Sequence, residues 1–327
     1  MGGLVTSHQA GMSVPDWPNS YGYNMFLFPP RLWIGGILYE HIHRLMGSVV
    51  GLLCIATTIA AFRTKGARRE CVISLAVLIA VIIQGIVGGQ RVVRVNLILA
   101  IVHACLAQAV FCFVVFSALA TSRWWKQQPL QRIDATPHRR LILIGVATIA
   151  TIYLQLIVGA TMRHFQAGLA IPDLPLSYGK LLPPMDSRQL DVANFVRTRQ
   201  LNLDPVTLGQ IWLHMGHRLG AILVTMMVLA LATLIIRRYR TQPRLVRPAV
   251  LLLILLATQL TLGVLTVVLR KPADVASAHV AVGALVLVTT FVPTARAWRI
   301  FGIRGQMKIQ TQETLEGMAG PHSLAVA

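Results

Sequence analysis

The sequence predicts an all-α integral membrane protein built as two pseudo-symmetric four-helix bundles. Three observations carry that prediction: the chain is 55% hydrophobic and only 13% charged, its apolar residues fall in seven runs of membrane-spanning length, and one half repeats the other. About 20 apolar residues cross a hydrocarbon core. Runs of that length lie at 34–62, 71–93, 95–120, 140–162, 208–236, 247–269 and 275–297. The mean hydropathy of +0.65 excludes an ordinary soluble domain.

Charge sets the orientation. The net charge of +19 sits in the short gaps between apolar runs rather than in a continuous patch, which argues for topology signals and against a nucleic-acid partner. Gaps 63–70, 123–140 and 237–247 and the end beyond 296 are rich in Lys and Arg. They alternate with loops 6–33, 94, 163–207 and 270–274. The basic gaps and the C-terminus are therefore expected in the cytoplasm and the long loops 6–33 and 163–207 outside. Arg91, Arg94, Arg270 and Lys271 run against that rule; an anionic ligand group at the outer mouth and snorkelling end residues are the two readings. The four cysteines, Cys54, Cys71, Cys105 and Cys112, have no paired spacing and read as buried thiols. No signal or transit peptide opens the chain.

The repeat is ordered. His8 to Asp16 reads against Phe165 to Asp173, and Pro18, Ser20, Tyr21 and Gly22 against Pro175, Ser177, Tyr178 and Gly179. His43-Arg44-Leu45 reads against His217-Arg218-Leu219, Gln84 and Gly88 against Gln259 and Gly263, and His103 against His279. Both loops face the same way, so the repeat is parallel, about an axis along the membrane normal. It divides the chain into residues 1–125, 126–300 and a polar tail 301–327. Residue 1 aligns with Val158, deep in the span 140–162. Eight spans are thus expected if the protein is complete, and a start assigned too late is preferred over a lost helix.

Six histidines lie in apolar runs: His41, His43, His103, His214, His217 and His279. His43 with His103, and His217 with His279, recur in register near the outward ends of their helices. Two imidazoles at matched depth on facing helices can hold a heme iron axially. Hydrogen-bonded packing is the plainer reading for any one of them, and zinc would want more ligands per cluster. Glu40 stands in a span in the first half where the second half has His214. A carboxylate there can serve as acid, base or charge stabiliser, or it can pair with Arg44 one turn on. Without it, the second half reads as an electron-carrying site. Arg44 and Arg218 follow the ligand histidines and read either as propionate partners or as packing residues. His41 and His214 read as hydrogen-bond partners of the sites. The Pro-rich stretches 13–18 and 170–175 read as caps over the outer mouths or as ordinary turns.

With these residues in view the chain resembles the heme A synthase family, over roughly residues 1–300. The carriers are Gly2 to Ser7 running into Gly11 and Pro15-Asp16-Trp17-Pro18, then Tyr39 to Arg44, His217-Arg218-Leu219-Gly220 and the four-histidine set. The resemblance implies an eight-helix membrane oxidoreductase of the bacterial cytoplasmic membrane. It would oxidise the C8 methyl of heme O to a formyl group by successive hydroxylations, for heme-copper cytochrome oxidase biogenesis. It also implies heme b as cofactor on His217 and His279, and heme O as substrate between His43 and His103 with Glu40 beside the methyl. A heme O synthase (farnesyltransferase) and an electron donor of unknown identity are the implied partners, and a homo-oligomer is an open alternative. Many members carry a cysteine pair in the first outward loop; residues 6–33 contain none. The competing reading is a non-catalytic bis-His b-type electron-transfer cytochrome.

Overall fold

A computed structural model describes residues 1–127 and 135–301. Its architecture is helical. A short α1 (Gly2–Ser7) leads into the first outer loop, followed by α2 (Gly35–Arg63), α3 (Arg68–Val93), α4 (Leu97–Thr121) and the short α5 (Arg123–Gln127). Then come α6 (Ala135–His164), the second outer loop with α7 (Ser187–Arg199) inside it, α8 (Leu208–Arg238), α9 (Pro243–Val268) and α10 (Ala273–Phe301). Among the described residues seven helices are long and apolar enough to cross a membrane, so the chain is a multi-pass membrane protein. The expected tail 301–327 lies outside the described residues, apart from its first position.

The helices outrun the apolar runs that predict them. α2 ends on Arg63, α3 begins on Arg68 and α8 ends on Arg237-Arg238. Hydropathy marks only the hydrocarbon-embedded part. Backbone hydrogen bonding continues the helix through the headgroup layer, where a basic last turn also suits the helix dipole. Start signals are local: Thr207 and Gln210 form a reciprocal capping box at α8, and Asn96 caps α4 through the amide of Leu99.

In the second half α6, α8, α9 and α10 close a ring in which each helix packs on two neighbours. Its core is stacked along the axis. Leu141, Leu231, Ile235, Leu245 and Ala249 fill the end near the basic gaps, and Ile152, Val228, Leu252 and Leu287 fill the middle. In the first half α3 packs on α2 and α4, and α1, fewer than two turns long, lies against α2 and α10. The halves meet where α4 packs on α6 and α10. Arg163 of α6 reaches across to donate to Gly3 O and Ser7 Oγ, and Ser277 of α10 donates to the same hydroxyl. Most outward apolar side chains of α2 and α3 remain exposed, Leu52 and Val72 each by more than half, as lipid-facing residues should.

The two outer loops fold alike. Asp16 accepts the amides of Tyr21 and Gly22, and Asp173 those of Tyr178 and Gly179. Tyr21 Oη donates to Ser13 O, and Tyr178 Oη to Ala170 O. Ser20 pairs with Tyr23 and Ser177 with Lys180 as isolated bridges. Gly22 and Gly179 take φ of +77° and +74°, the left-handed region that only glycine enters freely. α7 is the principal difference. The stretch 163–207, expected to be loop throughout, contains this helix; α7 is polar, and hydropathy does not mark it. Its signal was Asp186 with Gln189 three residues on, where Asp186 Oδ1 accepts the Gln189 amide.

Candidate heme-binding site

Each half brings its two histidines face to face. The ring centres of His43 (α2) and His103 (α4) are 6.3 Å apart, and those of His217 (α8) and His279 (α10) are 6.4 Å apart. A metal–imidazole bond of about 2.0 Å and about 1.1 Å more to the ring centre, taken on both sides of one ion, give about 6.2 Å. The pairs therefore fit two axial ligands of one iron. Two donors per pair suit a porphyrin, whose own nitrogens complete the coordination. Among the described residues no group of three or more His, Cys, Asp or Glu could hold a bare metal ion.

A second shared feature is what each ring lies against. A Cβ added at Gly2 would sit 3.5 Å from His43 Cε1, at Gly88 2.6 Å from His103 Cε1, at Gly159 3.2 Å from His217 Cε1, and at Gly263 3.2 Å from His279 Cε1. Only at Gly88 would the added atom force a shift; at Gly159 and Gly263 the ring would have to give by a few tenths of an ångström, and at Gly2 the contact would be an ordinary one. Amides hold the same elements: Gln84 donates to His103 O, Gln155 donates to His217 O and lies 3.0 Å from His217 Nδ1, and Gln259 lies 3.3 Å from His279 Nε2. Nδ1 of His103 and of His279 is buried without a partner, a donor or acceptor that a ligand or a ring rotation would satisfy.

Glu40 and His214 occupy matching positions and do the same mechanical task. Glu40 Oε2 accepts the amide of Val14 at 2.9 Å, and His214 Nδ1 accepts that of Ile171 at 3.1 Å. Val14 and Ile171 are themselves repeat partners, both fully buried. A buried amide needs an acceptor, and the halves supply chemically different ones. Glu40 also takes Arg44 Nη2 on Oε1 at 3.0 Å, so it is both latch and ion-pair partner, 1% exposed.

Apart from the Arg44–Glu40 pair, the described hydrogen bonds of the Arg44 and Arg218 guanidiniums run to the outer loops. Arg44 donates to the carbonyls of Val14, Asp16 and Asn19, and Arg218 to those of Ile171, Asp173 and Leu176. Their fork geometry ties each ligand helix to the loop above it. His41 is buried between Phe28 and Trp33, with Nδ1 3.3 Å from Ser20 Oγ, so it too holds the first loop. Of the cations at the outer mouth, Lys271 donates to Gln166 and Arg94 to Gln90. Arg91 lies against Gly11, and its guanidinium makes no hydrogen bond among the described residues. Outside the spans, burial would raise the Asp16 carboxyl, but the amides of Gly22 and Tyr21 outweigh it and hold the group below the usual carboxylate range.

Residues 36–291, more than three quarters of the chain, match the model of a family described as cytochrome oxidase assembly protein. The chain belongs to that family. It is similar to proteins named heme A synthase: 27% identical to one from Geobacillus kaustophilus, over 85% of this chain and 80% of the relative. A Halalkalibacterium halodurans relative is also 27% identical, over 88% of each. One from Rickettsia bellii is 30% identical, over 85% of this chain and 88% of the relative. The matched region of the family model spans all four facing histidines, Glu40, Arg44 and Arg218. It begins after the first outer loop, so the loop's resemblance to its counterpart rests on the internal repeat.

Proposed function

We propose that this protein is a heme A synthase, oxidising the C8 methyl of heme O to a formyl group for cytochrome oxidase assembly. The observation that carries the reading is the pair of matched imidazole sites, each sized for one iron, of which only the first has a carboxylate on the neighbouring turn. The division of labour follows from that difference. His217 and His279 in the half 126–300 would hold a heme b, which would supply single-electron transfer. His43 and His103 in the half 1–125 bracket the substrate heme O. Glu40, beside His43, is the group that can hold or release a proton at the reacting edge. Arg44 and Arg218 act on the hemes through the loops they hold, and of the two outer-mouth cations with no side-chain hydrogen bond among the described residues, Arg91 and Arg270, Arg91 on the first half's α3 is the one to pair with a propionate of the substrate. The long loops face the outside of a bacterial cytoplasmic membrane, and heme O arrives from a farnesyltransferase.

Purified protein co-expressed with a heme O source, with its extracted heme examined for a formyl porphyrin, tests this. Heme A accompanied by bound protoheme is expected; protoheme alone would overturn the synthase reading and leave the bis-His electron carrier, which the near-identical ring separations of the two pairs would suit. Glu40→Gln keeps an oxygen for the Val14 amide, so it should leave heme binding intact while heme A output falls at least tenfold. Undiminished output removes the carboxylate from the reaction.

A further inference from the structure

At the opposite end of the molecule from the histidine pairs, two adjoining grooves of about 500 and 510 Å³ open between the ends of α9, α10 and α4. They share Arg244, Val292 and Arg296. The Cζ of Arg244 lies 4.9 Å and that of Arg296 5.8 Å from the centre of the Trp124 ring. Arg247 lines the first groove as well. Two guanidiniums on one indole, with a third nearby, repel one another unless an anion lies between them. Among the described residues no carboxylate lines either groove. The two ion pairs among the described residues are Arg44–Glu40 and Lys126–Glu70, neither of which involves these arginines. Arg296 spends Nη1 on the Arg244 carbonyl at 2.8 Å, and its Nε is buried with no acceptor.

We infer that this cleft binds the phosphate of an anionic phospholipid from the leaflet on the side of the basic gaps. Charge alone would also suit a free phosphate ion. The walls decide for a lipid. Leu251 lies about 10 Å deeper than Arg244 along α9, and Val288 about 12 Å deeper than Arg296 along α10, at 1.5 Å per residue. In the second groove Val115, Ala118 and Leu119 continue the apolar wall below Trp124. A headgroup phosphate on the arginines thus puts its glycerol and first acyl carbons on apolar surface, at the depth where basic pockets between transmembrane helices recognise anionic lipids. The inference rests on the membrane embedding of the chain and not on the heme chemistry.

The test is native mass spectrometry of the full chain in detergent, with a thermal shift read in parallel, against added phosphatidylglycerol, phosphatidylcholine or inorganic phosphate. Phosphatidylglycerol should be retained and raise the melting temperature, while the other two do neither. Arg244→Gln and Arg247→Gln, whose side chains are exposed and make no hydrogen bonds among the described residues, should each weaken retention about fivefold, as expected for one basic residue at a lipid surface. Arg139→Gln with Arg140→Gln, exposed on the same side but outside the grooves, should leave it unchanged. Equal retention of phosphatidylcholine, an equal shift from phosphate alone, or wild-type retention in Arg244→Gln would each overturn the assignment. So would an equal loss in the Arg139/Arg140 variant, which would mean a diffuse basic face rather than a site. Heme content, unaffected in any of these variants, keeps the result separate from the synthase proposal.

Discussion

The two outer loops have nearly superimposable hydrogen bonding and are latched by different chemistry. The first hangs on a carboxylate, Glu40, which is paired with Arg44; the second hangs on an imidazole, His214, and its Arg218 has no carboxylate partner. The difference teaches that the repeat preserves a mechanical requirement, an acceptor for one buried amide, while leaving the chemistry of that acceptor free to diverge. In the first half the acceptor can also carry a charge or a proton next to a ligand histidine. In the second it is a neutral ring, and the site above it is held without an acid.

The largest effect expected from breaking this comparison is at the ligands. His217→Ala or His279→Ala should abolish the bound protoheme band in a reduced-minus-oxidised spectrum, whereas His43→Ala or His103→Ala should leave it. A band that survives in both second-half variants would reverse the assignment of the halves. Next come the arginines. Arg44→Met strands three loop carbonyls and also leaves the Glu40 carboxylate buried without its partner. It should cost about 3–5 kcal/mol. Arg218→Met strands carbonyls only and should cost about 2–3 kcal/mol. Thermal unfolding in detergent measures both, and equal losses would mean that the Glu40–Arg44 ion pair adds nothing to the loop contacts.

The glycines beside the rings sharpen the comparison further. Gly88→Ala puts a methyl 2.6 Å from His103 Cε1, where something must shift, and should cost about 1–3 kcal/mol. Gly263→Ala, at 3.2 Å from His279, should cost less than about 1 kcal/mol. Heme affinity by titration should follow the same order. The smallest effect is electrostatic. The Asp16 carboxyl is held below its unfolded value, so its contribution is complete above about pH 4 and is lost as the pH falls through the lower folded value. Trp17 fluorescence should report that loosening, and Asp16→Asn should remove its pH dependence.

Much of this was legible in the sequence for physical reasons. The seven spans were, because apolar length is a strong signal. So were the four histidines, because imidazoles recurring at one depth stand out against leucine and valine. Gln84, Gly88, Gln259 and Gly263 were visible as repeat partners, but nothing in a sequence says that such a glycine faces a ring on the next helix. The loop-holding role of Arg44 and Arg218 was hidden for the same reason: a guanidinium one residue from a ligand can reach a carbonyl or a propionate with equal ease, and only the packed loop decides. Gln155 pairs with His217 across sixty-two positions, a contact no local pattern announces.

The inserted α7 has a consequence for how the two sites open. The second loop packs an apolar nucleus, Ala167, Ala170, Ile171 and Val206, against Ile211 of α8. From α7, Arg197 donates inward to Leu169 O and Asp204 O. The first loop has the same turns without that backing. Transient opening draws on the buried contacts an element must give up, so amide exchange should run faster over Val14–Gly22 than over Ile171–Gly179. Under the proposed function, the lid that opens more readily would stand over the pair that takes the substrate heme, and the stiffer lid over the pair that holds the resident one.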